Sequence, residues 1–230
     1  GTSSDGTLAA SAEECAIKSM VLVFTSADDN STLLYTLIGE SSTKADASDN
    51  TRYTASTSLK LSTVTEAIAG KTVNLYVLAN PLPGPFGDLI GGSFSPKDAA
   101  YTVATLDAVQ LKKLGALPMS NAERYTLDGL TDTELAKHLT TSDPLILNDY
   151  CSLTTDNSQL TTPSPVLLER CVARVDYKDR DRTDGTDAHT YPLGKSDYTV
   201  KIESMQLINI SKSMYCLRHT SVDGKDDNTV

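Results

Sequence analysis

The densest cluster of potential metal ligands in the chain is Asp179-Arg-Asp-Arg-Thr-Asp-Gly-Thr-Asp187, with aspartates at 179, 181, 184 and 187. Calcium, a hard cation, takes its oxygen ligands from short acidic segments of this kind. Arg180 and Arg182 sit inside the run and its spacing matches no standard calcium loop, so a solvated hairpin is the first reading and calcium the second. His138, His189 and His219 lie in separate segments without an H-x-x-x-H or H-E-x-x-H pair, which argues against a metal or catalytic role. Cys15, Cys151, Cys171 and Cys216 form no C-x-x-C pair, so zinc spacing is absent. They read as mostly unpaired thiols, although several pairings are open and spacing does not choose among them. No G-x-S-x-G elbow offers a nucleophile, and Gly91-Gly92 stands outside any phosphate-cradling loop. Paired carboxylates for glycoside cleavage are available among the acids, but the chain has no Trp platform to set beside them. The expectation is a chain that is not an enzyme, with no catalytic residue, no cofactor and no metal.

Charge narrows the partners. With 30 acidic against 20 basic residues the net charge is −10, which repels phosphate backbones and argues against nucleic acid. No apolar run approaches the roughly 20 residues of a membrane-spanning helix. A length of 230 residues suits one large β-domain.

The elements that must position these residues are mainly strands. Ile17 to Phe24 is apolar on both alternating faces except at Lys18 and Ser19, the pattern of a central strand covered on both sides. Thr32 to Gly39 is its expected return partner, and Glu40 to Ser58, containing Arg52 and Tyr53, reads as a surface loop. Thr63-Val-Thr-Glu66 has capping-box spacing, and Gly70 sits where that short helix would stop. A strand from Lys71 to Asn80 follows. Val73, Leu75, Val77 and Ala79 face its core side, and Thr72, Asn74, Tyr76 and Leu78 a half-wet side. Pro81, Pro83 and Pro85 stop it.

Short helices are expected after Ser95-Pro96, over Thr105 to Leu114, and from the capping box Thr131-Asp-Thr-Glu134 to Lys137 and His138, whose charge suits a helix C-terminus. From Pro163 the pattern is strand-like again, with Val166 to Lys178 and Tyr198 to Ile210 flanking the acidic run. The reading is an all-β class, β-rich with a few short helices. Residues 1–12 form a flexible N-terminus, 13–220 one β-domain, and 221–230 a linker or tail.

Four segments, in order, carry a resemblance. They are Glu14-Cys-Ala-Ile-Lys-Ser-Met-Val-Leu-Val-Phe24, Lys71-Thr-Val-Asn-Leu-Tyr-Val-Leu-Ala-Asn80 with its V-x-A-N ending, Leu117-Pro-Met-Ser120, and Leu167-Leu-Glu-Arg-Cys-Val-Ala-Arg-Val-Asp-Tyr-Lys178 with R-x-x-A-R. Together they resemble the N-terminal domain of the Bacteroidales fimbrillins, the subunits of type V pili, over roughly residues 12 to 220. The resemblance implies a transthyretin-like Greek-key β-sandwich, and a lipoprotein precursor exported to the outer membrane and the fimbrium at the cell surface. It also implies a structural subunit that polymerises by donor-strand exchange with other pilin subunits, supports adhesion and meets host or bacterial surface ligands. The family's arginine cleavage site precedes its first strand, where this chain has no arginine, so Arg52 does not inherit that role.

An acceptor groove in such a subunit would expose backbone to an incoming strand, with alternate side chains entering apolar pockets. Val21, Val23, Leu207 and Ile210 are placed near it, because both their strands look apolar on two faces. Arg170 and Arg174 are expected in a structural ion pair. The alternative is a surface carbohydrate-binding or glycan-handling lipoprotein, for which Tyr35, Tyr53, Tyr76 and Tyr101 are the candidate platforms.

Overall fold

The computed structural model describes residues 12–29, 31–38, 43–46, 49–81, 100–102, 117–121, 124–155, 158–160, 165–171, 190–192, 199–201, 204, 206 and 213–215. Structural statements below concern these residues. The expected helices after Ser95 and over Thr105 to Leu114, the acidic run, His189, His219, Arg174, Cys216, Leu207, Ile210 and the 221–230 tail lie outside them.

The strands in chain order are β1 (Met20–Ser26), β2 (Thr32–Ile38), β3 (Thr43–Asp46), β4 (Asp49–Thr54), β5 (Val73–Ala79), β6 (Ala100–Thr102) and β7 (Met119–Asn121). They continue with β8 (Arg124–Leu127), β9 (Cys151–Thr155), β10 (Ser158–Leu160), β11 (Leu168–Arg170), β12 (Thr190–Pro192), β13 (Thr199–Lys201) and β14 (Ser213–Tyr215). The helices are short: α1 (Ala12–Cys15), α2 (Leu61–Ile68), α3 (Asp132–Leu135) and a 3-10 turn (Leu147–Asp149). The chain is all-β in class, built on an antiparallel sheet.

Two compact units divide it. One comprises Gly1–Val172 with Lys212–Val230, the other Ala173–Ser211. The larger holds the main sheet, in the order β10-β9-β8-β5-β1-β2, with β7 pairing both β5 and β11. It also holds the pairs β3–β4 and β6–β14. In the smaller unit β12 and β13 pair antiparallel, Tyr191 opposite Val200.

β1 is central, as its two apolar faces predict. It pairs with β2 from Met20↔Ile38 to Thr25↔Thr32 and with β5 from Met20↔Ala79 to Ser26↔Val73. One face collects Met20, Phe24, Ile38, Val73, Leu75, Val77, Ala79, Met119, Tyr125, Leu127 and Cys151 in a single buried cluster. Ile68 of α2, with Leu130 and Leu135, joins it, while Val64 and Ala67 pack against its rim. The opposite face is buried as well: Val21, Val23, Thr25, Asn74 and Leu78 are all at most 1% exposed. The half-wet side expected for this strand is corrected at Asn74 and Leu78, which are buried, while Tyr76 is half-buried and Thr72, just ahead of β5, is exposed. A strand with neighbours on both edges has little route to water except over its faces, and here both faces are shielded.

Local differences have local causes. α2 begins at Leu61, ahead of the Thr63–Glu66 spacing, and Lys60 at its N-cap makes no side-chain cap. Its stripe of Val64, Ala67 and Ile68 against the core outweighs the capping pattern. Its C-terminus is held by Lys71, whose Nζ donates to the carbonyls of Glu66 at 3.0 Å and Ala67 at 2.8 Å. Gly70 takes φ 68°, the left-handed turn expected there, and its amide donates to the Leu130 carbonyl at 2.8 Å. At α3 the N-cap half of the capping box is seen, with Thr131 Oγ1 accepting the Glu134 amide at 3.2 Å, while the Glu134 carboxylate accepts from Lys137 and Tyr150. The stretch read as a loop contains the β3–β4 hairpin, in which Lys44 faces Tyr53. The β-formers Thr51, Tyr53 and Thr54 outweigh the small polar residues around them. Likewise β13 pairs with β12, which lies closer in sequence than the Val166–Lys178 segment, and a shorter loop costs less entropy to close.

Leu75, at the centre of β5 and 2% exposed, contrasts with Leu37, 65% exposed on β2. Leu75→Ala is expected to lower unfolding free energy by about 2–5 kcal/mol. Leu37→Ala should lower it by less than about 0.5 kcal/mol, both read by urea titration.

Candidate functional site

The V-x-A-N ending of β5 proves to be a junction. Asn80 follows the last ladder residue, takes φ 50° and is 7% exposed. A left-handed backbone is tolerated by asparagine better than by most side chains. Its backbone amide donates to the Ser19 carbonyl at 2.8 Å, extending the β1–β5 ladder by one bond. Its Oδ1 accepts the Lys18 amide, and its Nδ2 donates to the carbonyls of Ala16 and Leu117, each at 2.8 Å. One side chain thereby joins the entry to β1, the exit of β5 and the entry to β7.

A second asparagine repairs the sheet one strand over. β5 pairs with β8 through Leu75↔Tyr125 and with β7 through Leu78↔Ser120. Had the β8 register continued, Leu78 would face residue 122, so the partner chain slips by two residues. The slip strands Leu75 C=O and Val77 N–H between the two pairings. Asn121 answers both: Nδ2 donates to Leu75 O at 2.9 Å, and Oδ1 accepts Val77 N–H at 2.6 Å. The primary amide stands in for a missing peptide group, as a buried polar pair requires. Beyond the slip, β8 takes β9 as its outer neighbour and β7 takes β11.

β11 is tied down from both ends. The Tyr125 hydroxyl, on a residue 1% exposed, accepts the Leu167 amide at 2.8 Å and donates to Pro165 O at 3.5 Å. Arg170 was expected in an ion pair. Its Nε donates to Glu14 O at 3.0 Å and its Nη2 to Cys15 Sγ at 3.2 Å, binding the end of α1 to the sheet. Arg170 thus acts on α1 through a carbonyl and a thiol.

Titratable groups gather elsewhere, around α3. Glu134 accepts from Lys137 Nζ at 2.7 Å and from the Tyr150 hydroxyl at 2.8 Å. Those two bonds, Lys137 first, hold the Glu134 carboxyl below its ordinary value. The Glu134 bond, then desolvation, pushes the Tyr150 phenol up to about 12. His138 Nδ1 lies 3.5 Å from an Asp143 carboxylate oxygen, and its Nε2 lies 3.9 Å from Glu134. Among the described residues no three His, Cys, Asp or Glu side chains are grouped to hold a metal ion. Cys15, Cys151 and Cys171 stand outside any disulfide. Burial pushes the Cys151 and Cys171 thiols up to about 11, so both are mainly neutral near pH 7.

The residues placed near a groove do not all fall within view. Val21 and Val23 lie side by side on the face of β1 away from α2, 1% and 0% exposed, with β2 and β5 paired along the two edges of that strand. Leu207 and Ile210 lie outside the described residues. Tyr35 and Tyr76 both sit opposite Val23, one on either side, and both are half-buried. Tyr53 is half-buried on β4, and the Tyr101 side chain lies outside the described set. Sequence reasoning missed Asn121, Tyr125 and Glu134–Tyr150. The first left a signal, an amide at the end of a short run that is otherwise suited to a buried strand.

Comparison with family models, curated proteins and solved structures returns no match for this chain.

Two measurements check the junction and the α3 cluster. Asn80→Ala leaves Lys18 N–H and the Ala16 and Leu117 carbonyls without their partner, and should cost about 3 kcal/mol or more in urea unfolding. Asn80→Asp should be at least as damaging at neutral pH, because a carboxylate would face two carbonyls, and acid should partly rescue it. For Tyr150, a raised folded pKa means that stabilisation is complete below the free phenol value near 10 and disappears as pH rises toward 12. Ultraviolet titration should find one tyrosine ionising near 12, returning toward 10 in Glu134→Gln.

Proposed function

We propose that this chain is a structural subunit of a bacterial surface fimbrium, assembling by donor-strand exchange and acting without catalysis. One observation supports the reading most. The described parts of the four segments that carry the fimbrillin resemblance are neighbours within one sheet, in the order β1-β5-β7-β11. Asn80, the last residue of the V-x-A-N motif, bonds to the segments before β1 and before β7, and Arg170 of the R-x-x-A-R motif bonds back to the segment before β1. Motif residues therefore serve the mutual placement of these strands, which is the behaviour of a fold signature rather than of an active site.

A subunit role also suits what surrounds them. A fibre subunit must carry a stable sheet whose backbone is available at an edge, since backbone bonds supply affinity and alternate side chains set register. On this reading the chain is exported to the cell surface, its partners are other subunits, and no cofactor is used.

Protein stripped natively from the producing cells and run unheated on a denaturing gel should show a ladder of multimers that collapses on boiling. A single monomeric band in both lanes would sink the subunit reading.

A further inference from the structure

Strands β8 and β9 are antiparallel neighbours, with Leu127 directly opposite Cys151. A turn of about two to five residues ordinarily joins such a pair. Here residues 128–150 intervene, an excursion that holds α3 and the 3-10 turn. Its ends meet, because the Asp128 amide donates to the Tyr150 carbonyl at 3.3 Å, and the outline is that of an Ω-loop. Leu130 and Leu135 root its first part in the core, at 1% and 5% exposed. Farther out burial fades. From 136 to 146 only His138 and Leu145 are half-buried, and the others are exposed, Leu139 by 62% and Ile146 by 55%. The amides of Lys137, His138, Asp143 and Asp149 all donate to carbonyls inside the excursion. A segment with few buried apolar groups, bonded mainly to itself, opens at lower free energy than the sheet it hangs from.

One carboxylate closes that outer part. Glu134 takes the Lys137 ammonium at 2.7 Å where the chain leaves α3, and the Tyr150 hydroxyl at 2.8 Å where it returns. The charges around it are few. His138 lies between Glu134 and Asp143, at 3.9 and 3.5 Å, and Asp132 belongs to the first turn of α3 itself. Asp149 acts on the Tyr150 phenol from the 3-10 turn. Asp128, beside the Tyr150 carbonyl, is engaged by the Thr72 hydroxyl and the Gly129 amide. The α2 helix, which packs against α3, has Glu66 as its one charged residue. A proton on Glu134 would leave Lys137 without its ion pair and weaken the hold on Tyr150. Because the Lys137 and Tyr150 bonds keep this carboxyl below its ordinary value, the closure is complete above the ordinary glutamate range and is lost as pH falls through the lowered value.

We propose that residues 136–149 form a strap that acid releases through Glu134 while the main sheet stays closed. The strap is independent of the subunit reading. Hydrogen exchange on the purified full chain reads it, with each amide compared with its intrinsic rate as pH is lowered from neutral through the carboxylate range. In wild type the Lys137, His138, Asp143 and Asp149 amides should lose protection by about threefold to fivefold, the scale of an exposed ion pair. Amides of β1 and β5 should not change. Glu134→Gln should start at neutral pH with strap protection already lowered, and acid should lower it little further. Tyr150→Phe keeps the ring and removes the hydroxyl, so its strap should also be less protected at neutral pH. Asp143→Asn, which spares the Glu134 bonds, should keep the wild-type response to acid. Strap amides that stay protected in acid, or an acid loss that persists in Glu134→Gln and vanishes in Asp143→Asn, would overturn the assignment to Glu134. Loss of protection that appears only together with β1 and β5 would overturn the strap as a separate unit. Should Glu134→Gln fail to fold, Tyr150→Phe decides, since its strap must lose protection at neutral pH while β1 and β5 do not.

Discussion

The antiparallel pairing of β1 with β5 is the constraint on which the remaining architecture depends. Its seven-residue register fixes which side chains enter the core: Phe24 opposite Leu75 on the α2 side, Val23 opposite Tyr76 on the other. If β5 slipped by one residue on β1, Asn74 would turn into the apolar cluster and Leu75 out of it. Every further layer is hung on this pair, with β2 on the free side of β1, β7 and β8 sharing the free side of β5, and α2 lying across the apolar face. Asn80 closes the pair at one end, and a side chain that holds two other segments makes a register error costly in several places at once.

Polar groups inside the molecule do the specifying that apolar burial does not. On the face away from α2, the register aligns Thr25, Asn74, Thr126 and Ser152 in one row across β1, β5, β8 and β9. All four are at most 9% exposed, and Asn74 Nδ2 reaches Ser26 O while Ser152 Oγ reaches Thr126 O. A row of hydrogen-bonding side chains accepts fewer arrangements than a row of valines, because each misplaced group would be left unsatisfied in a medium of low dielectric. Asn121 is the clearest case: the two-residue slip that lets β5 serve both β8 and β7 is tolerable only because an amide fills the gap it leaves.

That distinction explains what the sequence makes legible. Strand β1, its partner β2, strand β5 and the capped turn at Thr131 are written in nearest-neighbour terms, as apolar alternation or cap spacing, and they stand where those terms put them. The burial of Asn74 was not legible, since an asparagine facing a wet side and one facing a polar interior row look alike along the chain. Nor was the β7–β8 division, for which the cause is a register relation to β5 rather than any residue inside it. The β3–β4 hairpin was hidden by its small polar residues, which suit a loop and an exposed hairpin equally. The junction at Asn80 was half visible. The motif marked the residue, but its three partners come from segments far apart in sequence, and only the fold brings them together.

The two sides of the sheet differ in how they are secured, and the difference bears on assembly. From β5 outward, strands are held by ladders and by side chains as well: Asn80, Asn121, Tyr125 and Arg170 each cross between segments. From β1 outward, β2 is joined through its ladder and through the apolar contacts of Ile38, with Leu33 and Leu34 at the rim. β2 follows β1 in one register from Ile38 to Leu34 and is bulged at Leu33, whereas beyond β5 the sheet divides between β9 and β11. Pairing an added strand demands an uninterrupted row of backbone groups in one register, since a bulge or a slip leaves amides unmatched. The asparagine-repaired side of the sheet is therefore poorly shaped to receive one, and on the other side β2 keeps one register only from Leu34 to Ile38, with a bulge at Leu33.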